Sequence, residues 1–465
     1  MNLNIIKKTV CILIPLAFFS ACNQHGQEGT VDETITQTPG NQPVSNETTK
    51  TDTVSATKKD STSVKDSSQT KASIPINEKQ QTQGKSPVAP NFIRSSGETS
   101  PALPETTIEP GVNYYDIAIK KYEQKDYAGS IDAFDKEILL HPSNADAYYK
   151  RGLAKMEIED FDGASDDFTK TLELKPNFYD ALIKRGNAEL YSNDYVAAKK
   201  DYNKALTYTT TLELLMNRAE ANFKTSDYQG AITDYNTVLE KQLSTSFEIY
   251  YKRGLAKNEY GKYKDAIADF TQAIQIFPNY VYSYYSRGFA ELQLQKYKEA
   301  ITDFTKVIQS SPRETNAYYF RGIAHSKLNY LEAARADFGK VIELDPNFED
   351  AYLQRAEIEG SDGKLTEAIQ DLTKALKINP RSKEAYYNRG NFYVENGAFD
   401  QAISDFKKAI EIDPKDADSY YSKGIAEMES KKYNDACDSF SKAKALGDEE
   451  RAPAMIERNC RKAKQ

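Results

Sequence analysis

From residue 111 onward, apolar and small residues recur at helical spacing, in blocks of about 34 residues. In residues 145–178, Tyr148, Gly152 and Ala154 share one face of a first segment. Phe161, Ala164 and Phe168 share one face of a second, and Pro176 closes the block. Each block therefore predicts two amphipathic helices and a turn. The same roles recur ten times. An aromatic residue or Leu opens each second helix, from Tyr127 to Tyr433. A small residue follows three later, from Ser130 to Ala436, and a large apolar residue four beyond that, from Phe134 to Phe440. Seven blocks end in Pro, which cannot continue a helix.

The sharpest beat is a basic residue followed by a small one: Arg151-Gly152, Arg185-Gly186, Arg218-Ala219, Arg253-Gly254, Arg287-Gly288, Arg321-Gly322, Arg355-Ala356, Arg389-Gly390 and Lys423-Gly424. A fixed period of this length means stacked copies of one unit, which offer a long surface and no obvious catalytic cleft. Period, aromatic, Ala and Pro together resemble the tetratricopeptide repeat family over residues 111–450. The resemblance implies an all-α fold, a right-handed α-solenoid of about ten helix-turn-helix repeats. The first helix of each pair would line a concave groove that binds peptides or protein partners. It implies no enzyme. Residues 451–465 resemble the solvating helix that caps such a stack, with Met455, Ile456 and Cys460 on one face.

Eight blocks carry Asp sixteen residues after the Arg: Asp167, Asp201, Asp234, Asp269, Asp303, Asp337, Asp371 and Asp405. The terminal blocks have neither, showing Ile117 with Ala133 and Lys423 with Ser439. A ladder of partly buried Arg–carboxylate pairs is expected, within a repeat or between neighbours. Repeat 4 breaks phase at both ends, one residue short before Met216 and one long before Ile249, and both connections lack Pro. A local change of curvature or a harmless pair of loop changes would follow.

In seven blocks two tyrosines are adjacent. The first takes the family's buried aromatic position. The second is turned by about 100° and is expected to face the groove: Tyr115, Tyr149, Tyr251, Tyr285, Tyr319, Tyr387 and Tyr421. With Leu255, Phe289 and Ile323, repeats 5–7 would present one continuous stripe suited to a protein contact, unless superhelical packing hides it. The Lys and Asn with which the family's chaperone binders hold a carboxylate are mostly replaced here by Tyr and aliphatics. Late in the chain Cys437 and Cys460 could form a disulfide that staples the cap.

The beginning of the chain is different. Lys7-Lys8, the apolar run 9–19 and Ser20-Ala21-Cys22 form a secretory signal over residues 1–22. Phe19-Ser20-Ala21-Cys22 resembles a bacterial lipobox, with Phe in place of the usual Leu, which implies lipidation at Cys22. Asn23 after that Cys favours the outer membrane under the enterobacterial sorting rule. Residues 23–110, rich in Ser, Thr, Gln and Pro, are expected to be a disordered tether, spanning roughly 50 Å root-mean-square.

Net charge is −8 with both signs mixed. The sequence holds no basic block suited to phosphate, which argues against nucleic acid. Three scattered His and two late Cys argue against a metal site, and no residue set calls for a cofactor. These features imply a lipid-anchored protein of the bacterial cell envelope that scaffolds an envelope protein or peptide through its groove. The alternative is a glycan- or peptidoglycan-binding protein using the groove tyrosines.

Overall fold

The computed structural model describes residues 108–460. The expected signal, Cys22 and the tether up to residue 107 lie outside the described residues, as do residues 461–465 of the expected cap.

Twenty helices follow one another in ten pairs, from Tyr114–Glu123 with Tyr127–Leu140 to Ala417–Glu429 with Tyr433–Ala445. No strand occurs among the described residues. The starts and turns have local causes. Asp126, Asp160, Asp194 and Asp227 cap the second helices of repeats 1–4, each accepting from a backbone N–H three residues on. The residue before each such cap turns left-handed, as at Lys125 (φ 61°) and Glu159 (φ 62°), and Gly takes that place at Gly261, Gly363 and Gly397.

Within a pair, small residues let the helices close. A Cβ on Gly254 would stand 2.6 Å from the Phe270 ring, and one on Gly152 2.8 Å from Phe168. Those rings, with Phe134, Phe304, Phe338, Phe406 and Phe440, are fully buried beside Ala residues of zero exposure. The result is all-α, one helix pair packing on the next from end to end. First helices also touch the first helix of the neighbouring repeat in repeats 1–4, 5–7 and 9–10. Second helices make no comparable contact, so the first helices lie on the inner side of the stack. They approach less closely between repeats 4 and 5, 7 and 8, and 8 and 9.

The arginine ladder joins three helices at seven of its eight steps. In repeat 6, Arg287 Nε and Nη2 donate to the two oxygens of Asp303 at 2.7 and 2.8 Å, within the repeat. Its Nη1 donates at 3.1 Å to Thr271 on the preceding second helix. The same third contact runs from Arg151 to Asp135, Arg185 to Thr169, Arg218 to Asn203, Arg253 to Asn236, Arg321 to Thr305 and Arg389 to Thr373. Arg355 forks onto Asp371 but has Gly339 where Thr would stand. At repeat 4 the acceptor lies fifteen residues before Arg218, and at repeat 5 seventeen before Arg253. The phase shift is absorbed in the turns, and the second helix of repeat 3 shortens to Tyr195–Ala205.

Acids stand four residues past the Arg at three of these forks, Glu189, Glu291 and Glu359. Burial first, then the charge of the ladder Asp, pushes the carboxyls of Glu189 and Glu291 up to about 7. Glu291 faces Asp303 and Glu299 from the second helix, with Arg287 and Lys296 opposing.

At the far end Cys437 and Cys460 are joined as a disulfide, with Cα atoms 5.7 Å apart. The cap differs from one continuous helix. It is a short α-helix, Arg451–Met455, that widens into a π-helical turn, Ile456–Cys460. Met455 and Ile456 still pack on Phe440, Ala443 and Ala452.

Two outcomes are expected. Arg287→Met strands the buried Asp303 carboxylate and should cost about 3–5 kcal/mol, whereas Gly339→Thr restores the missing contact and should gain about 1 kcal/mol; denaturant unfolding of each variant measures both. For Glu291, the folded state holds its proton to higher pH than the unfolded chain. Its contribution is therefore most favourable below pH 4.5, falls as pH rises to about 7 and is flat above. Glu291→Gln should remove about 1–2 kcal/mol of that decline, seen as a difference between the two stability–pH curves.

Candidate functional site

The inner face is built from first-helix residues at recurring offsets from the ladder Arg. In repeats 5–7 the adjacent tyrosines are placed opposite to expectation, whereas in repeat 1 Tyr114 is buried and Tyr115 half-buried, and in repeats 2, 9 and 10 both are half-buried. The second of each pair packs edge-on or tilted against the large aromatic of its own second helix. Ring centroids are 5.8 Å apart for Tyr115–Phe134, 5.7 Å for Tyr149–Phe168, 6.0 Å for Tyr251–Phe270 and 5.9 Å for Tyr285–Phe304. Tyr319–Phe338 and Tyr387–Phe406 are at 5.9 Å and Tyr421–Phe440 at 5.7 Å.

Tyr251, Tyr285 and Tyr319 are 6 %, 8 % and 2 % exposed, so the ring stripe expected in repeats 5–7 is corrected to core. The physical reason is the next repeat, which a single helical wheel ignores. Phe178 closes over Tyr149 at 4.7 Å, Tyr280 over Tyr251 at 5.0 Å and Phe348 over Tyr319 at 5.0 Å. In repeats 5, 6 and 7 the first tyrosine is the half-buried one, and in repeats 2 and 9 both are half-buried. Tyr148, Tyr250, Tyr284, Tyr318 and Tyr386 lie under the guanidinium of the neighbouring ladder Arg at 5.5–5.8 Å. Leu255, Phe289 and Ile323 remain half-buried, with Phe289 against Phe320 at 5.5 Å.

Sequence reasoning missed the charge of this face. Five residues before the ladder basic residue stand Asp146, Asp180, Glu213, Glu248, Asp350, Glu384 and Asp418, interrupted by Tyr282 and Asn316 in repeats 6 and 7. Each acid lies in the first turn of its helix, where the dipole favours it. Three are neutralised from within the chain, Asp146 by Lys175 (2.8 Å), Glu213 by Lys184 (3.4 Å) and Asp418 by Arg451 (2.5 Å). The signal that could have found them is the period itself, followed at that one offset.

These acids lie close to the packed tyrosines. Burial pushes the Tyr149 phenol up to about 12, with Asp180 adding to it. The Tyr285 and Tyr319 phenols are also raised, by burial first, then by Glu314 for the one and by Asp350 and Glu384 for the other. Among the described residues no group of three His, Cys, Asp or Glu is arranged to hold a metal ion.

Fold and face define an α-solenoid of helix pairs with an extended inner surface. Tetratricopeptide repeat models match residues 115–177, 183–246, 247–280, 281–314, 315–348, 384–416 and 406–438, and a TPR repeat model matches 357–397. The chain belongs to the tetratricopeptide repeat family. Among solved structures it is similar to the C-terminal part of a TPR repeat-containing protein from Cytophaga hutchinsonii, at 19 % identity over 52 % of this chain and 98 % of that one, TM-score 0.46. A tetratricopeptide repeat protein from Parabacteroides merdae is 22 % identical over 54 % and 97 %, TM-score 0.40. YrrB, described as a TPR protein with an unusual peptide-binding site, is 22 % identical over 41 % and 97 %, TM-score 0.37. No curated protein matches the chain.

The corrected placement of the tyrosines predicts their tolerance. Tyr285→Phe keeps the ring and should change stability by less than about 0.5 kcal/mol, while Tyr285→Ala empties a core site at a cost of about 3–5 kcal/mol. Thermal melts of the two variants decide between a core and a surface ring.

Proposed function

We propose that this protein is a non-catalytic scaffold that holds a protein or peptide partner on the inner face of its first helices, tethered to the bacterial cell envelope by a lipid on Cys22. The observation that carries the binding reading is the inner face itself. Ten first helices lie side by side there, presenting half-buried Leu255, Phe289 and Ile323 beside a periodic line of carboxylates. A long, regular, partly apolar surface suits an extended partner.

The anchoring part rests on residues 1–22 alone and the lipobox-like Phe19-Ser20-Ala21-Cys22. Asn23 supports the outer membrane, and the polar segment after it would hold the repeats away from the bilayer. An oxidising compartment also suits the Cys437–Cys460 bond.

A photoreactive residue at Asn316, on the inner face, should crosslink in the native host to one defined protein, and one at Glu343, on a second helix, should not. Crosslinks to cell-wall glycan in place of protein would favour the glycan-binding reading, and none from Asn316 would sink the scaffold. Cys22→Ser should release the chain from the membrane fraction and abolish labelling by a clickable fatty acid; retention in membranes would refute the anchor.

A further inference from the structure

The acids of the inner face are unequal. In repeats 2, 4 and 10, Asp146, Glu213 and Asp418 each hold a cation of this chain. In repeats 7 and 8, Glu314 and Asp350 have no ion-pair partner among the described residues. Both are half-buried, and burial raises both carboxyls above their ordinary values. Asn316 donates to Glu314. An uncompensated, partly buried carboxylate costs stability, so two together need a reason.

Three further observations lie at the same place. The Tyr285 and Tyr319 hydroxyls belong to side chains 8 % and 2 % exposed, beside Glu314 and Asp350 respectively. Neither hydroxyl has a hydrogen-bond partner among the described residues. In repeat 6 the acid is replaced by Tyr282, 37 % exposed and 5.5 Å from Tyr280, so an aromatic surface stands open one repeat before Glu314. The first helices of repeats 7 and 8 also approach one another less closely than most neighbours do, as do those of repeats 8 and 9 and of repeats 4 and 5.

Carboxylate, phenol hydroxyl and exposed aromatic face together recognise a cation. The first neutralises it, the second accepts its hydrogen bond, and the third binds it by cation–π attraction. Resting on the scaffold reading above, we propose that the inner face of repeats 6–8 binds a lysine- or arginine-bearing segment of the partner protein, whose cationic groups replace those this chain omits at Glu314 and Asp350. The partner's cations take the place that Lys175, Lys184 and Arg451 take at Asp146, Glu213 and Asp418.

The test uses the full chain and three fluorescein-labelled 16-residue peptides in which Ser alternates with Lys, Glu or Gln, read by anisotropy. The Lys peptide should bind and the Glu and Gln peptides should not. The double variant Glu314→Gln/Asp350→Asn should weaken Lys-peptide binding about tenfold. The control Glu173→Gln/Glu411→Gln removes equal charge from second-helix residues 58 % and 63 % exposed. It should change binding by less than about twofold.

The inner-face variant should melt no lower than the natural protein, because it removes uncompensated charge, and this separates lost binding from lost folding. Equal losses in both variants, or no loss in the inner-face variant, would overturn the proposal. The Asn316 crosslink keeps the two readings apart. If it persists to one protein while the charge variants bind the Lys peptide unchanged, the scaffold stands and the cationic partner falls. If no protein crosslinks in any variant, both fall.

Discussion

The stack is held in register by one guanidinium in each of its eight inner repeats. A planar fork held by two carboxylate oxygens has a fixed direction, and its third nitrogen reaches the helix before. In repeat 6, Arg287 sets the angle within its own pair through Asp303 and the spacing to the preceding pair through Thr271. Apolar packing of Phe304 on Gly288 supplies burial, but a smooth apolar contact permits sliding. The fork does not, because a shift of one residue would leave a buried Asp unpaired. The contact therefore sets register as much as it adds stability.

That register decides what the inner face can present. With the pairs held in step, the following repeat closes over Tyr149, Tyr251 and Tyr319, and first-turn acids beside half-buried Leu255, Phe289 and Ile323 are left on the inner face. The face is thus polar and acidic over an aromatic floor, not an open aromatic stripe. Where the third contact is missing, at Gly339, the neighbouring first helices of repeats 7 and 8 also stand further apart. The open part of the face and the interrupted part of the ladder fall at the same junction.

Much of this was legible in the sequence, for a physical reason. Period, helix pairs and the Arg–Asp pairs are written in residue identities that recur, and two cysteines remaining after residue 22 left one pairing to consider. The tyrosine orientation was not legible from one helix, since the atoms that bury Tyr251 and Tyr319 come from Tyr280 and Phe348 in the next repeat. The third ladder contact was hidden by chemistry. Asp135, Thr169 and Asn203 share an oxygen acceptor but no residue type, and around repeat 4 the offset itself shifts by one. The acids before the Arg were visible as a pattern but were absorbed into ordinary first-turn preference. Only the distances to Lys175, Lys184 and Arg451 single out Asp146, Glu213 and Asp418 as neutralised.

The ladder's offsets bear on how such a chain lengthens. The Asp lies sixteen residues after its Arg, and the third acceptor about sixteen before it on the previous block. A tandem duplication of an internal 34-residue block such as that of repeat 6 therefore delivers a new Arg, its Asp and the acceptor for the following copy in one event. The inserted copy is hooked to both neighbours at birth, with no compensating mutation. Only the terminal units, with Ile117 and Lys423 at the Arg place, lie outside this grammar. Growth by gene duplication is thus open to the interior of the array and closed at its ends.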